Sequence, residues 1–324
     1  MMMSAKELIE RIRRDPKIPA PSHAVFQVLE LTRDPDCEVK AVARIISRDG
    51  GLTAQLLRQA NSALYGFSTT TSSVADACTR LGLKRVRSAV INQHVVNGLA
   101  SARPPNFDSH RYWKGALATS VAAKDLAQRF LPGAAEDAGT AGLLCDIGIG
   151  LLAFGSPDAY RRVFERVPQT FSREFTHAET ALLGVTHAEI GAAVLSDWGI
   201  EQSIIDAVRL HHHDPLAPAE AELARFSRMV AAATTLSAIA LDGSDMDSVA
   251  MLFAHIESVA PEPDEVVSQL LETLVQHIQT TADSLAVEIG SVDHMRSNFE
   301  QLVNDLPDTA QAMSFRPMSR ESFQ

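Results

Sequence analysis

The chain has 324 residues, more than the roughly 250–300 residues at which one hydrophobic core stops growing, so two or three packed units are expected. Hydrophobic residues make up 46% and charged residues 21%, a globular composition that excludes a mostly disordered chain. The net charge of -11 argues against nucleic acid as a partner, because an acidic protein repels phosphate backbones.

The cysteines and the apolar segments indicate the cellular compartment. Cys37, Cys78 and Cys145 are widely spaced and form no CxxC pair, which argues against a disulfide framework and favours a reducing compartment. The first seven residues, MMMSAKE, carry charges where a secretory signal is apolar. The most apolar stretch, residues 229–241, is shorter than the roughly 20 residues that span a bilayer. We therefore expect a cytoplasmic protein without a membrane partner.

Hydrophobic periodicity predicts an all-α chain. In residues 42–60, apolar side chains recur at every third or fourth position, as in helices that bury one stripe. The next clear helix is predicted for residues 110–130, where Pro132 and Gly133 end it. A third helical block runs from residue 220 to about residue 306 and contains a helix that begins at Pro263.

Chain breakers divide these helices into regions. Prolines occur at positions 104 and 105 and again at 215 and 218. We predict an N-terminal helix in residues 1–14, a domain in residues 15–215, a C-terminal helical region in residues 218–306 and a flexible tail in residues 307–324. The domain itself is expected to have an N-terminal helical part, residues 15–103, and a second helical part, residues 107–215.

Residues 49–66 read DGGLTAQLLRQANSALYG, and this run resembles the signature of the HDOD family. Its motif residues are Leu52, Leu56, Asn61 and Ser62. The segment from Ile18 to Pro21 extends the similarity, and so does the segment from Ser73 to Gly82, which resembles the next helix of the family and is expected to end at Gly82. The resemblance implies an HDOD domain over residues 15–215, whose second part is HD-like. It further implies a non-catalytic relative of the HD and HD-GYP metal-dependent phosphohydrolases.

One position departs from the family signature. Gly50 stands where the family usually has proline. Proline at a first helical position has its φ angle already set, so glycine there should weaken the helix start by about 0.5–1 kcal/mol.

The resemblance also indicates where a metal site would lie. In metal-binding relatives, the ligands are an early helical histidine, an adjacent His-Asp pair, later histidines and a final aspartate. No aspartate occurs between Asp214 and Asp242, where the resemblance places the final one. In this chain the early position falls at Lys114 or Gly115, and the pair is replaced by Cys145 and Asp146. The carboxylate Asp146 remains, together with three histidines at later ligand positions, His187, His211 and His212. We expect a vestigial site that binds one divalent metal ion weakly or none, and no catalytic residue.

Each of these residues also has a structural interpretation. Asp146 would accept hydrogen bonds from helix N–H groups, His187 would be a hydrogen-bonded core residue, and Cys145 would be a buried neutral thiol. Consecutive helical residues point about 100° apart, so at most two of the three histidines at 211–213 can face His187. The polar pair Asn61 and Ser62 is expected to bond to the backbone at a helix end.

Four basic residues form a cluster in the first helical part, Arg80, Lys84, Arg85 and Arg87. A cluster of this kind in an acidic protein is typical of a solvated face, and no aromatic residues alternate with these positions in the sequence.

Three functional hypotheses follow. The leading one is a bacterial regulatory protein of signal transduction that is not an enzyme and binds a signalling protein, with a homodimer as a further possibility. Its acidic surface would orient the partner, and an apolar groove between the HDOD part and the C-terminal helices would provide affinity. The alternatives are a metal-dependent phosphohydrolase acting on a nucleotide or cyclic dinucleotide, and a nucleotide-sensing pocket in which Lys114 binds phosphate or neutralises Asp146.

Overall fold

The computed structural model describes residues 5–15, 18, 20–34, 36–100, 107–167, 173–212 and 223–314. All regular secondary structure within these ranges is helical, which confirms the all-α prediction. The breakers at 104, 105, 215 and 218 lie outside the described residues.

The N-terminal helices precede residue 101. They are α1 Ala5–Arg14, α2 His23–Leu31, α3 Val39–Ile46, α4 Gly50–Ala60, α5 Val74–Leu81 and α6 Leu83–Ala100. The α5 helix ends at Gly82, whose φ of 77° is readily adopted by glycine. This helix end confirms the one predicted from the sequence.

The HD-like helices follow residue 107. They are α7 Ser109–Phe130, α8 Ala135–Leu144, α9 Ile147–Gly155, α10 Pro157–Arg166, α11 Arg173–Leu183, α12 His187–Asp197 and α13 Gln202–Leu210. The bounds of α7 match the predicted helix at residues 110–130 to within one residue.

The C-terminal region contains α14 Leu223–Asp242, α15 Met246–Glu257, α16 Pro263–Leu285 and α17 Asp293–Ser314. The α16 helix begins at Pro263, as predicted. The α17 helix continues through Pro307 to Ser314, so residues 307–314 are helical and the predicted start of a tail at 307 is wrong. A proline interrupts one backbone hydrogen bond of a helix, but the helix can continue beyond it.

The long α7 helix lies at the centre of the fold and packs against α8, α14 and α16. Its close approach to α8 depends on Gly142, since a Cβ atom there would lie 2.6 Å from the carbonyl oxygen of Thr119. The C-terminal helices thus share one core with the HD-like helices.

The HDOD motif residues stabilise α4 and its exit. Leu52 and Leu56 are buried in the core, and the carboxylate of Asp49 caps the helix by accepting from the Leu52 N–H at 3.0 Å. At the other end, the Asn61 side chain donates to the Thr71 carbonyl at 2.9 Å and accepts from its N–H at 2.8 Å. Ser62 donates to the Gln59 carbonyl. The predicted backbone-bonding role of Asn61 and Ser62 is confirmed.

Within the part of the chain that the structure describes, one stretch, Pro132–Gly155, is long and apolar enough for a membrane span, with a mean hydropathy of 1.6 over its most apolar window. The candidate membrane span is therefore this stretch and not residues 229–241, which the sequence analysis took as the most apolar. Buried residues make up 94% of that window, because α8 and α9 pack inside the fold. The segment is a core element, as its burial shows.

The basic cluster does not form one solvated face. Arg87 is 8% exposed and donates to Asp137 at 2.7 Å, and it also pairs with Glu201. Arg85 lies against the ring of Tyr65, with its guanidinium carbon 5.5 Å from the ring centroid. The sequence could not indicate these contacts, because the partners of Arg87 lie 50 and 114 positions away.

Gly50→Pro should stabilise the protein by about 0.5–1 kcal/mol, because proline restricts the unfolded chain at a helix start. Space is available, since a Cβ atom at Gly50 would meet nothing within 4 Å, and the preceding Asp49 is already extended, as a residue before proline prefers. Urea denaturation would measure the change. Gly82→Pro is the matched control, and it should destabilise because the φ of Gly82 is positive. A Gly50→Pro variant no more stable than the parent would contradict the prediction.

Candidate metal centre

Four side chains from three regions of the chain converge at one point. They are the carboxylate of Asp146 and the imidazoles of His187, His211 and His212, and one donor atom from each lies within 4.8 Å of all the others. Asp146 precedes α9, His187 begins α12, and the other two histidines follow α13. The structure thus brings together the four residues that the sequence placed at ligand positions.

The donor atoms are spaced as ligands of one ion would be. The Nε2 atom of His187 lies 3.2 Å from that of His211, 3.1 Å from that of His212 and 3.3 Å from Asp146 Oδ1. The Asp146 to His211 distance is 3.6 Å. A tetrahedral zinc ion with bonds of 2.0–2.1 Å separates its ligands by about 3.3–3.4 Å.

Hydrogen bonds on the far side of two rings determine which nitrogen faces the cluster. His187 Nδ1 lies 2.7 Å from a carboxylate oxygen of Glu179, and His211 Nδ1 lies 2.6 Å from the Val208 carbonyl. These oxygens only accept hydrogen bonds, so each Nδ1 carries the proton. When neutral, both rings therefore direct an Nε2 lone pair toward the cluster, which is the arrangement that metal-binding histidines require.

Glu179 is the functional residue that the sequence analysis missed. It lies on α11, is fully buried, accepts the backbone N–H of His187 at 3.0 Å as well as the ring proton, and accepts the hydroxyl proton of Tyr160. A buried glutamate that contacts a ligand histidine is a common outer partner in metal sites. The sequence did not single it out, because Glu179 lies eight positions before His187 on a helix that also carries other polar residues, among them Glu174 and His177.

Asp146 does not have the structural role that the sequence left open. It occupies the N-cap position of α9 but forms no capping bond; both of its oxygens are buried, and the Nε2 atoms of His187 and His211 lie 3.3 Å and 3.6 Å from Oδ1. A buried carboxylate carries a large desolvation penalty, which a cation beside it offsets. The donor set and its buried carboxylate fit one divalent ion.

Without a metal ion, a proton takes its place. Burial opposes a charge on His187, but attraction from Glu179 and interaction with Asp146 outweigh it and raise the pKa of His187 to about 10. Burial also acts to raise the pKa of Asp146, yet His187 and His211 hold it below the usual value. The metal-free cluster therefore contains an imidazolium beside a carboxylate.

The positions predicted to surround the site contribute no metal donor among the described residues. Gly115 has no side chain, and its carbonyl accepts from Ser237 at 2.9 Å. Burial raises the pKa of Cys145 well above its usual value, and its thiol contacts Thr234, which agrees with the predicted neutral thiol. Lys114 is half-buried and is not among the groups paired with Asp146. His213 lies outside the described residues.

The close approach of α9 and α12 holds the cluster together. A Cβ atom at Gly148 would lie 1.9 Å from the carbonyl oxygen of His187, and one at Gly191 would lie 3.1 Å from Ile147. Small residues on both helices therefore allow Asp146 and His187 to approach each other.

Comparisons with known proteins agree with this architecture. A family model of the HDOD domain matches residues 18–215. A protein of uncharacterized function from Treponema pallidum (strain Nichols) is 27% identical over 218 residues, which cover 67% of this chain but only 41% of that protein. The chain thus spans less than half the length of that relative.

Solved structures share the fold. An HDOD domain protein of unknown function from Geobacter sulfurreducens matches with a TM-score of 0.66 and 23% identity, covering 87% of this chain and 99% of that one. A Shewanella amazonensis SB2B protein, provisionally named a phosphohydrolase, matches with a TM-score of 0.60 and 22% identity, covering 96% and 99%. At these identities the likeness concerns the fold alone.

Gly148→Ala should destabilise the protein by about 3 kcal/mol or more, because the added methyl group overlaps backbone that cannot move aside cheaply. Chemical denaturation would measure the loss. Gly133→Ala is the control, since a Cβ atom there meets nothing within 4 Å. Equal stabilities of the two variants would show that α9 and α12 are not in close contact.

Zinc affinity should increase with pH, because each ion that binds must displace the proton from His187, whose pKa in the metal-free protein is about 10. If each zinc ion displaces one proton, the affinity for zinc should increase about tenfold for each pH unit, as long as the pH is below the pKa of His187. Competition with a zinc indicator at about pH 7 and about pH 8 would measure the change. An affinity independent of pH would contradict the protonated cluster.

Proposed function

Because this chain belongs to the HDOD family, we propose that it is a non-hydrolytic regulatory protein whose HD-derived site holds one metal ion as a structural centre. The observation that carries the proposal is the convergence of four protein donors on one point. Structural zinc sites have four protein ligands, whereas catalytic sites usually have three and leave a position for water. A bound ion would link the segments that carry Asp146, His187 and His211.

The environment of the donors supports a structural centre. Asp146 and His187 are fully buried and His211 is 2% exposed, so an ion there would lie beneath the surface. The positions at which relatives carry the remaining ligands hold Gly115 and a neutral thiol at Cys145. A second ion would therefore lack donors from these positions, and a two-metal clamp on a phosphate group needs both ions.

Regulation by protein binding is the role proposed for the whole chain. The net charge of -11 favours a partner with a basic surface, because complementary charge increases the rate and specificity of association. Three free cysteines fit a reducing cytoplasm. The partner we propose is a signalling protein.

A metal-dependent phosphohydrolase is the second candidate, and one observation favours it. The hydroxyl of Tyr112 is buried without a hydrogen-bond partner among the described residues, and its pKa is raised well above the usual value by burial and by the charge of Asp146. A polar group of this kind beside a metal site is a place where a water molecule can bind.

Metal analysis combined with a turnover assay separates the two candidates. We expect about one zinc or iron ion per chain and no hydrolysis of bis(p-nitrophenyl) phosphate or a cyclic dinucleotide above the level of the His187→Ala variant. That variant should lose the ion, since it lacks the central donor. His255→Ala removes another buried histidine, on α15, and should retain the ion. Turnover that disappears in His187→Ala but not in His255→Ala would establish the hydrolase instead.

A further inference from the structure

The turn that follows α4 carries two aromatic side chains that lie together. The ring centroids of Tyr65 and Phe67 are 6.4 Å apart, and the ring planes are 18° from parallel. Gly66 between them has a φ of 60°, a left-handed conformation that glycine readily adopts and that turns the chain at this point. Phe67 is 37% exposed. The turn therefore presents part of an aromatic ring to solvent.

Three cations lie against these two rings. The guanidinium carbon of Arg80 is 6.0 Å from the centroid of Phe67. The guanidinium carbon of Arg85 and the ammonium nitrogen of Lys124 are 5.5 Å and 5.8 Å from the centroid of Tyr65. A cation within about 6 Å of a ring centroid is attracted to the face of the ring. We call Tyr65, Phe67, Arg80, Arg85 and Lys124 the aromatic-cation patch.

Arg85 has an unused edge that can bind a carboxylate. Its Nε donates to Glu136 at 3.1 Å, whereas neither of its Nη atoms has a partner among the described residues. The Arg85 side chain is 43% exposed, so these Nη atoms can be reached from solvent. A guanidinium stacked on a ring is already ordered, and its two Nη atoms match the two oxygens of a carboxylate. Arg85 is therefore held in position to bind an acidic side chain.

The charge of the patch differs from that of the protein as a whole. Glu136 is shared by Arg85 and Lys124, and Asp76 pairs with Arg80 at 2.7 Å. Lys84, next to Arg85 in the chain, donates to the Gly133 carbonyl and adds a further positive charge. These contacts leave an excess of positive charge in a chain whose net charge is -11. A local excess of this kind attracts acidic groups.

An acidic peptide segment suits the patch better than a nucleic acid does. Protein interfaces are enriched in aromatic residues and arginine, and arginine clusters recognise acidic motifs. A nucleic acid strand carries a charge on every nucleotide and follows a continuous basic track. The overall charge of -11 would repel such a strand beyond the patch, whereas a short acidic segment can end there.

We propose that the aromatic-cation patch binds an acidic segment of a partner protein. A carboxylate of that segment accepts hydrogen bonds from the Nη atoms of Arg85, and a neighbouring apolar side chain packs on the exposed ring of Phe67. Acidic surface elsewhere on this protein favours basic groups, so a partner with charges of both signs is bound in one orientation. The inference goes beyond the proposed function and does not depend on the metal ion.

Selection from a library of random peptides of about twelve residues, with the full chain as target, would test the proposal. Recovered peptides should be enriched in Asp and Glu beside Phe, Tyr, Trp or Leu. A fluorescein-labelled peptide with the enriched sequence should bind saturably in fluorescence anisotropy. Its affinity should fall as the salt concentration rises, because exposed charges are screened.

Arg85→Gln should weaken binding of that peptide about tenfold or more, because charge-assisted hydrogen bonds are lost. Phe67→Ser should weaken it about fivefold, because apolar contact is lost. The matched controls are Arg161→Gln on α10, where the arginine is 47% exposed and pairs with one carboxylate, and Phe26→Ser on α2, where the phenylalanine is 39% exposed. Both controls should bind as the parent does, and thermal unfolding of each variant checks that it folds.

Three results would overturn the proposal. If the selection enriches no acidic sequence, the patch does not bind an acidic segment. If the enriched peptide binds Arg85→Gln and Phe67→Ser as tightly as the parent, its site lies elsewhere on the protein. If an oligothymidylate binds more tightly than the peptide and loses affinity in the same two variants, the patch is a nucleic-acid surface.

Discussion

Three imidazole nitrogens and a carboxylate oxygen lie so close together in this protein that a positive charge is required among them. Two of the rings have their protons committed to Glu179 and Val208, so their lone pairs face each other and Asp146 across 3.2–3.6 Å. Either a proton or a metal ion relieves that repulsion. The pKa of His187 is raised because Glu179 and Asp146 favour a proton on its ring, and the spacing of the donors explains why one ion is the better occupant.

The packing of the surrounding helices holds these four donors together. Glycines at 142 and 148 allow α8 to lie against α7 and α9 to lie against α12, and the second contact places Asp146 beside His187. Tyr160 and Glu179 then form a buried chain of hydrogen bonds that orients the His187 ring.

Local signals predicted local structure well. Pro263 marks the start of α16, Gly82 marks the end of α5, and Asn61 closes α4, because each of these depends on a few neighbouring residues. The ligand set of Asp146 and the three histidines was also identified from its resemblance to a known pattern. Its geometry was not: the sequence could not show that Asp146 lacks a capping bond or that Glu179 orients His187, because packing between distant helices determines both. For the same reason Arg87 was assigned to a solvated face although it is buried.

X-ray absorption of the zinc-loaded protein tests the central claim most directly, because the spectrum reports the ligands of the ion itself. The convergence of His187, His211, His212 and Asp146 predicts three imidazole nitrogens and one oxygen at about 2.0–2.2 Å, with no sulfur and no neighbouring metal. A sulfur ligand at about 2.3 Å would show that Cys145 binds as a thiolate. A second metal about 3.5–4 Å away would show a bimetallic centre, and either result would contradict a single ion held by these four residues.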